Sequence, residues 1–224
     1  MAAAAFVLPA AASAAGSPSA VLASILAAAR AERSVHYESS ESSGTSSVRQ
    51  TGDAGSSVGI QRITYSSGGR TGHVTVIATS TRAFVRGDAF TLAGYMGLKP
   101  SAAARFGGVW IRWTAADSGF ASVAAGVRLG STIDELTPSG SLASVPSTTI
   151  GGRRVIGVAG TATSGGASVT TTLYASATGA PLPVRETAIH GSARLTVRFS
   201  GWNEQVHAAL PARSVAVAVV QKTP

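Results

Sequence analysis

Arg82-Ala-Phe-Val-Arg-Gly-Asp88, the segment Ala89 to Phe106, and then Gly107-Gly-Val-Trp-Ile-Arg-Trp113 decide the fold. Thr81 to Arg86 alternates as a strand and stops at Gly87-Asp88, both ordinary turn formers. Thr91 to Arg105 follows as a short helix with Leu92, Tyr95 and Met96 on one side, and Pro100 should end or kink it. Gly107-Gly108 then opens a second strand carrying Trp110, Ile111 and Trp113. A small helical insertion is thus held between β-rich flanks.

Upstream, Ser17 to Arg33 is the clearest helix: Ser17-Pro18-Ser19 is a start signal, and Val21, Leu22, Ile25, Leu26 and Ala29 recur at helical spacing. The chain then turns polar and Ser-rich from Val35 to Thr51, alternating only at Val35 and Tyr37. Ile60 to Tyr65 and His73 to Thr79 read as strands joined through Ser66-Ser67-Gly68-Gly69. Downstream, Asp117 is placed as N-cap for a helix over Ser118 to Ala125, and Ser131 to Leu136 carries a capping-box-like pattern. Strands return at Arg153 to Val158, Ser168 to Ala175, Leu182 to Ile189 and Arg194 to Phe199, and Ser214 to Val220 suggests a terminal strand. In Arg194 to Phe199 the residues Leu195, Val197 and Phe199 share one face and Arg194, Thr196 and Arg198 the other. The fold class expected is α+β, mostly β: one antiparallel sheet whose apolar face needs a cover, and only a few short helices to supply it.

Composition narrows the function. The chain has 224 residues, 45% hydrophobic but only 6% aromatic, so its core is made of small and β-branched side chains. No linker divides residues 16 to 224, which read as one domain. Met1 to Ala15 is an apolar, Ala-rich run closing on Ala12-Ser13-Ala14-Ala15, the small-residue end of a secretory signal, although a basic opening is missing. A truncated or atypical signal and a disordered Ala-rich tail both fit. The first implies an exported chain, in the periplasm, cell envelope or extracellular space. No later segment approaches the ~18 apolar residues of a spanning helix. Cysteine is absent, which removes disulfides, thiolate chemistry and a lipid-modified N-terminal cysteine.

A net charge of +8 arises from sixteen Arg and two Lys against ten acids. It suits an anionic partner such as a membrane surface, but Arg in place of Lys together with abundant Ala and Gly is also what a GC-rich genome produces. The basic residues are scattered, without the aromatic-interleaved cluster of a nucleic-acid module, so no nucleic acid is expected. Arg153, Arg154, Arg185, Arg194 and Arg198 are candidates for a basic outer sheet face toward an anionic membrane; plain solvation is the alternative reading. His36, His73, His190 and His207 lack ligand spacing, so neither metal nor cofactor is expected. Gly55-Ser-Ser-Val-Gly59 spells the nucleophile-elbow pattern but lacks an apolar strand before it and a helix after it, and reads as a turn. Arg86-Gly87-Asp88 spells an adhesion tripeptide and likewise reads as a turn. Without a phosphate loop or a locatable triad, no enzyme is expected.

The order of these pieces resembles the LolA-like lipoprotein-carrier fold, and within it the LppX and LprG group of cell-envelope lipid carriers. The resemblance rests on the first helix followed by Val35-His-Tyr-Glu38, the strand end Val85-Arg-Gly-Asp88, Gly108-Val-Trp-Ile111 after an Ala-rich helix, Leu173-Tyr174 leading to Gly179-Ala-Pro-Leu-Pro183, and Phe199-Ser-Gly-Trp-Asn203 with Val206 and Pro211. It implies a strongly curved half-barrel whose concave side is closed by helices around a cavity for acyl chains, and a monomer that carries a lipid or other hydrophobic ligand. Members anchored by lipid carry a cysteine that this chain lacks. Candidate lining residues are Val74, Val76, Ile111, Trp113, Leu195, Val197 and Phe199 from strands and Leu92, Tyr95, Met96, Phe120 and Val123 from helices; ordinary core is the competing reading at each. The competing function is an interaction or sensory domain on the same fold that binds an envelope partner protein without a lipid.

Overall fold

The computed structural model describes residues 16–164 and 167–223. The signal-like run, residues 1–15, lies outside the described residues. Helix α1, Pro18–Arg30, starts where the sequence signals it: the Ser17 hydroxyl accepts a hydrogen bond from the Ala20 amide and Pro18 occupies the first turn. Leu22, Ile25, Leu26 and Ala29 are its buried stripe.

Hairpins follow: β1 Ser34–Ser43, β2 Ser46–Gly55, β3 Val58–Ser67, β4 Arg70–Thr79 and β5 Arg82–Gly87. The helical insertion is two helices, α2 Ala89–Gly94 and α3 Pro100–Phe106, because Pro100 starts a new helix instead of kinking one. Asp88 caps α2, accepting from the Thr91 amide at 2.8 Å, and its second oxygen accepts from the His73 amide at 2.5 Å. Burial alone would raise its pKa, but the donors from His73 and Thr91 outweigh it and hold the carboxyl below its ordinary value. The adhesion-like tripeptide is therefore a strand end and a helix cap. Asp88→Ala should cost about 1–2 kcal/mol of stability in urea denaturation.

After β6, Ile111–Thr114, the chain forms α4 Phe120–Ala124, a 3₁₀ turn Ala125–Val127 and α5 Leu129–Glu135. Two expectations are corrected here. Asp117 does not cap α4; its carboxylate accepts from the Thr114 amide and hydroxyl, both at 2.7 Å, and Gly119 takes the cap position with φ 86°. Ser131 lies inside α5, whose start has no side-chain cap.

The second half supplies β7 Ser141–Ile150, β8 Arg153–Ser164, β9 Ala167–Ser176, β10 Pro183–His190 and β11 Ala193–Ser200. The expected terminal strand is only β12, Val215–Ala216, after which α6, Val217–Gln221, buries Val217 and Val220 one turn apart. All strands join one open, curved sheet in the order β12-β6-β5-β4-β3-β2-β1-β11-β10-β9-β8-β7. Among the described residues every strand pairing is antiparallel except β12 on β6. The fold class is thus α+β and mostly β, with short helices on one face.

The connection from Gly201 to Ser214 runs from β11 to β12, which the sheet order places on opposite sides of β1 to β6. The outer face beside it shows an oddity of burial. Ile60, Ile77 and Phe84 are cross-strand neighbours that alternation turns to the outer face with Arg62, Thr75 and Arg86, yet each is buried. This strap crosses the same end of the sheet, with Ser34 donating to the Glu204 carbonyl and Val206 lying against Gly55.

The helix-covered face holds two apolar clusters. One joins β3 to β6 with α2, α3, α4 and α6 around Val76, Val85, Leu92, Ile111 and Trp113. The other joins α1 and α5 to β1, β2, β8, β9 and β11 around Ile25, Val35, Tyr37, Leu173 and Phe199. Leu92 has no exposed surface, so Leu92→Ala should cost about 2–5 kcal/mol, read as a lower urea midpoint with unchanged slope.

Candidate functional site: a polar-walled chamber between sheet and helices

Between the two clusters the helices leave a chamber of about 220 Å³. The register shows how it is built. Leu173, Glu186, Val197, Ser39, Gln50, Ile63 and Val74 lie opposite one another in turn across seven strands and share the helix-covered face. At the ends of this row Leu173 and Val74 are packed core, whereas in the middle the row meets Thr132 and Glu135 of α5 and Leu136 at its end across open space.

The chamber has a floor and a mouth. Tyr37 and Phe199, paired across β1 and β11, are 4% and 6% exposed and close its inner end. Along the same strands Ser39 and Val197 are half-buried, and Glu41, paired with Leu195, is exposed. The Tyr37 hydroxyl donates to the Gly126 carbonyl at 2.6 Å, tying the floor to the 3₁₀ turn. Burial, then the negative charges of Glu135 and its neighbours, pushes the Tyr37 phenol far above its ordinary pKa. On the side of the first cluster the chamber is closed by a chain of hydrogen bonds: Gln61 donates to the Gln50 carbonyl oxygen at 2.8 Å, and the Gln50 amide donates to the Tyr95 hydroxyl at 3.0 Å.

The carboxylates are the unusual part. Glu186 is 6% exposed and faces the chamber, and no described side chain or backbone group donates a hydrogen bond to it. Desolvation, reinforced by the charge of Glu135, pushes its pKa up to about 7. Partial desolvation raises Glu135 as well, although this residue is exposed at the chamber's edge. The Thr132 hydroxyl, buried at the same wall, also lacks a partner among the described residues.

The expected lining residues divide between this chamber and the packed core. Leu195, Val197 and Phe199 line the chamber. Val74, Val76, Leu92, Ile111, Trp113 and Phe120 are buried in the first cluster, with Tyr95, Met96 and Val123 packed against it. Tyr37, Ser39, Glu41, Gln50, Thr132, Glu135 and Glu186 were not anticipated, because a search for apolar alternation passes over polar inward positions. The signal available was a carboxylate, Glu186, standing in phase with neighbouring strand residues that face inward.

The opposite face is basic. Arg185, Arg198, Glu38, Thr51, Arg62, Thr75 and Arg86 form one cross-strand row, and Arg194 lies on the same face of β11 as Arg198. An open depression of about 820 Å³ runs along this face past Arg49, Arg62, His73 and Arg198. Arg153 and Arg154 lie at the start of β8, exposed and, as consecutive strand residues, turned to opposite faces. The four histidines are dispersed: His36 meets Asp53 at 2.6 Å and His73 meets Thr64 at 3.2 Å. Gly55-Ser-Ser-Val-Gly59 is the turn between β2 and β3, and the 3₁₀ turn lies against it. Among the described residues no group of three metal-binding side chains occurs, and no helix is long and apolar enough to cross a membrane.

A curved open sheet closed by helices on one face is the architecture of the LolA-like carriers, and the chain has the LppX and LprG type of that fold. LprF from Mycobacterium bovis superposes on 88% of this chain and 100% of its own with a TM-score of 0.55 at 15% identity. The lipoprotein LppX from Mycobacterium tuberculosis superposes on 84% of this chain and 98% of its own with a TM-score of 0.50 at 16% identity. At such identities the likeness is one of fold. No protein-family model and no curated protein matches the chain.

Proposed function

We propose that residues 16–224 form an exported carrier that holds a lipid or other hydrophobic ligand non-covalently between sheet and helices and transfers or presents it at the cell envelope, with residues 1–15 serving as export signal. The chamber carries this reading. It lies on the helix-covered face of a LolA-like sheet, has an apolar wall of Leu136, Leu195, Val197 and Phe199, and opens past Glu41. Each methylene buried there contributes about 0.8 kcal/mol, so an acyl chain needs few polar contacts and no chemistry is done on it. A chamber of about 220 Å³ is smaller than the ~300–1,000 Å³ of ordinary small-molecule sites. The short helices must therefore move outward to admit a long chain, and the 3₁₀ turn and α5, which bring Gly126, Thr132 and Glu135 to its wall, are the segments that cover it.

The test is displacement of a fluorescent acyl-chain probe. Wild-type protein should bind the probe saturably and release it to added phospholipid, whereas Val197→Trp should fold and bind at least tenfold more weakly. Equal binding by the variant would place the ligand elsewhere.

The arginine face is proposed to meet an anionic membrane. Arg185 and Arg198 stand directly opposite each other, a like-charge pair only partly offset by Glu38, which faces Arg198 from β1. Each arginine near an anionic surface contributes up to about 1 kcal/mol. Co-sedimentation with vesicles should therefore require anionic lipid, fall several-fold between low salt and 0.15 M, and weaken further in Arg185→Gln/Arg198→Gln. Binding indifferent to lipid charge and salt would remove this role.

A further inference from the structure

The chamber is apolar on one side and acidic on the other, and we propose that it selects a ligand bearing a primary ammonium group on an aliphatic chain, with the ammonium bound between Glu186 and Glu135. This deepens the carrier reading and rests on it.

Three observations point to a cation. First, Glu186 is almost wholly removed from solvent, is aimed into the chamber and receives no hydrogen bond from the described residues. Buried carboxylates are normally paired, so the missing partner is a group with donors to give. Second, the residue nearest in charge is another carboxylate, Glu135, and Glu41 stands at the mouth; among the described residues no Arg, Lys or His lines the chamber. Three acids around one small space attract cations and repel fatty-acid carboxylates. Third, the buried Thr132 hydroxyl on the same wall has no partner among the described residues and can accept a hydrogen bond.

An ammonium fits this set by count: its three N–H donors match Glu186, Glu135 and the Thr132 oxygen. Its methylene chain would lie along Leu136, Val197 and Leu195 toward the mouth. The remaining ionisable neighbours are Tyr37 at the floor and Tyr95 behind Gln50, both held neutral by burial, which raises their pKa. Glu186 is protonated in part near neutral pH, so binding the cation should drive its proton into solution.

Binding of n-decylamine, decanoate and 1-monodecanoylglycerol, each below its micelle concentration, tests the inference by calorimetry at pH 7. Decylamine should bind at least tenfold more tightly than decanoate and more tightly than the neutral monoacylglycerol. Its heat should differ between buffers of different ionisation enthalpy, reporting proton release. Glu186→Gln should weaken decylamine at least tenfold and leave or improve the monoacylglycerol; circular dichroism checks that the variant is folded. If decanoate or the monoacylglycerol binds as tightly as the amine, or Glu186→Gln leaves the amine unaffected, the ammonium inference falls while the lipid-carrier reading stands. If none of the three binds but longer-chain lipids do, the ammonium inference again falls alone; if no amphiphile binds at all, both fall.

Discussion

Glu186→Gln should make the protein more stable at pH 8 by about 3 kcal/mol and leave it nearly unchanged at pH 4. A carboxyl whose pKa rises from 4.5 in the unfolded chain to about 7 in the folded one binds its proton more tightly when folded. Below pH 4.5 both states are protonated and the group is neutral in effect. As pH rises through the window from about 4.5 to 7 the unfolded chain gives up the proton first, so folding loses stability, and above pH 7 the full cost is present. At 1.36 kcal/mol per pH unit that cost is on the order of 3 kcal/mol. Gln has the shape of the protonated acid and no charge to desolvate. Urea titrations at pH 4, 6 and 8 should show wild type falling relative to the variant across that window, and a Tm difference of roughly 6–12 °C at pH 8. Two stability curves that run parallel from pH 4 to 8 would mean that Glu186 is solvated or paired.

The second large effect falls on Gly59. A Cβ built at this position lies 1.8 Å from the Val127 carbonyl oxygen and 2.9 Å from that of Asp53, both backbone atoms that cannot swing aside. The glycine pair of Gly55-Ser-Ser-Val-Gly59 therefore serves as a bare platform on which the 3₁₀ turn Ala125–Val127 and the start of α5 dock, with Gly55 bridging to Arg128. Gly59→Val should cost about 3 kcal/mol or more, at the upper end of overpacking effects, and Gly59→Ala somewhat less. Lifting the turn also pulls Gly126 from the Tyr37 hydroxyl and opens the chamber floor. Gly59→Ala should thus show both a lower urea midpoint and faster release of the acyl-chain probe. A fully stable Gly59→Val with unaltered release would contradict the close approach.

How much of this was legible depends on where polarity sits. Residues 82–113 and the strands over 168–199 announce themselves because their inward positions, such as Val85, Ile111 and Leu173, are apolar and alternate. Strands β1 and β2 hid in a polar run because their inward residues Ser39, Glu41, Gln50 and Gly52 face the chamber or the Tyr37 ring instead of a packed core. The stretch that pattern reading passes over thus supplies Ser39, Glu41 and Gln50 to the site, beside Leu195, Val197 and Phe199 of the clearly read β11. Strand β7 was hidden by Pro146, tolerated at a sheet edge where the pairing with β8 shifts register between Val145 and Thr148. The end of the chain was read with the wrong period: Val217 and Val220 are buried three residues apart on α6, while Val219 between them is exposed. Ile60, Ile77 and Phe84 are buried on the outer face beside Arg62, Thr75 and Arg86, so alternation alone assigns neither face as the apolar one there.

The chamber's occupancy is best measured by native mass spectrometry of protein secreted by a lipid-containing host and purified without detergent, beside Val197→Trp prepared identically. One amphiphile per wild-type chain, recovered in an organic extract and absent from the variant, is the expected result. Ligand-free wild-type protein, or equal lipid on both proteins, would contradict a carrier that holds its cargo between the sheet and the helices.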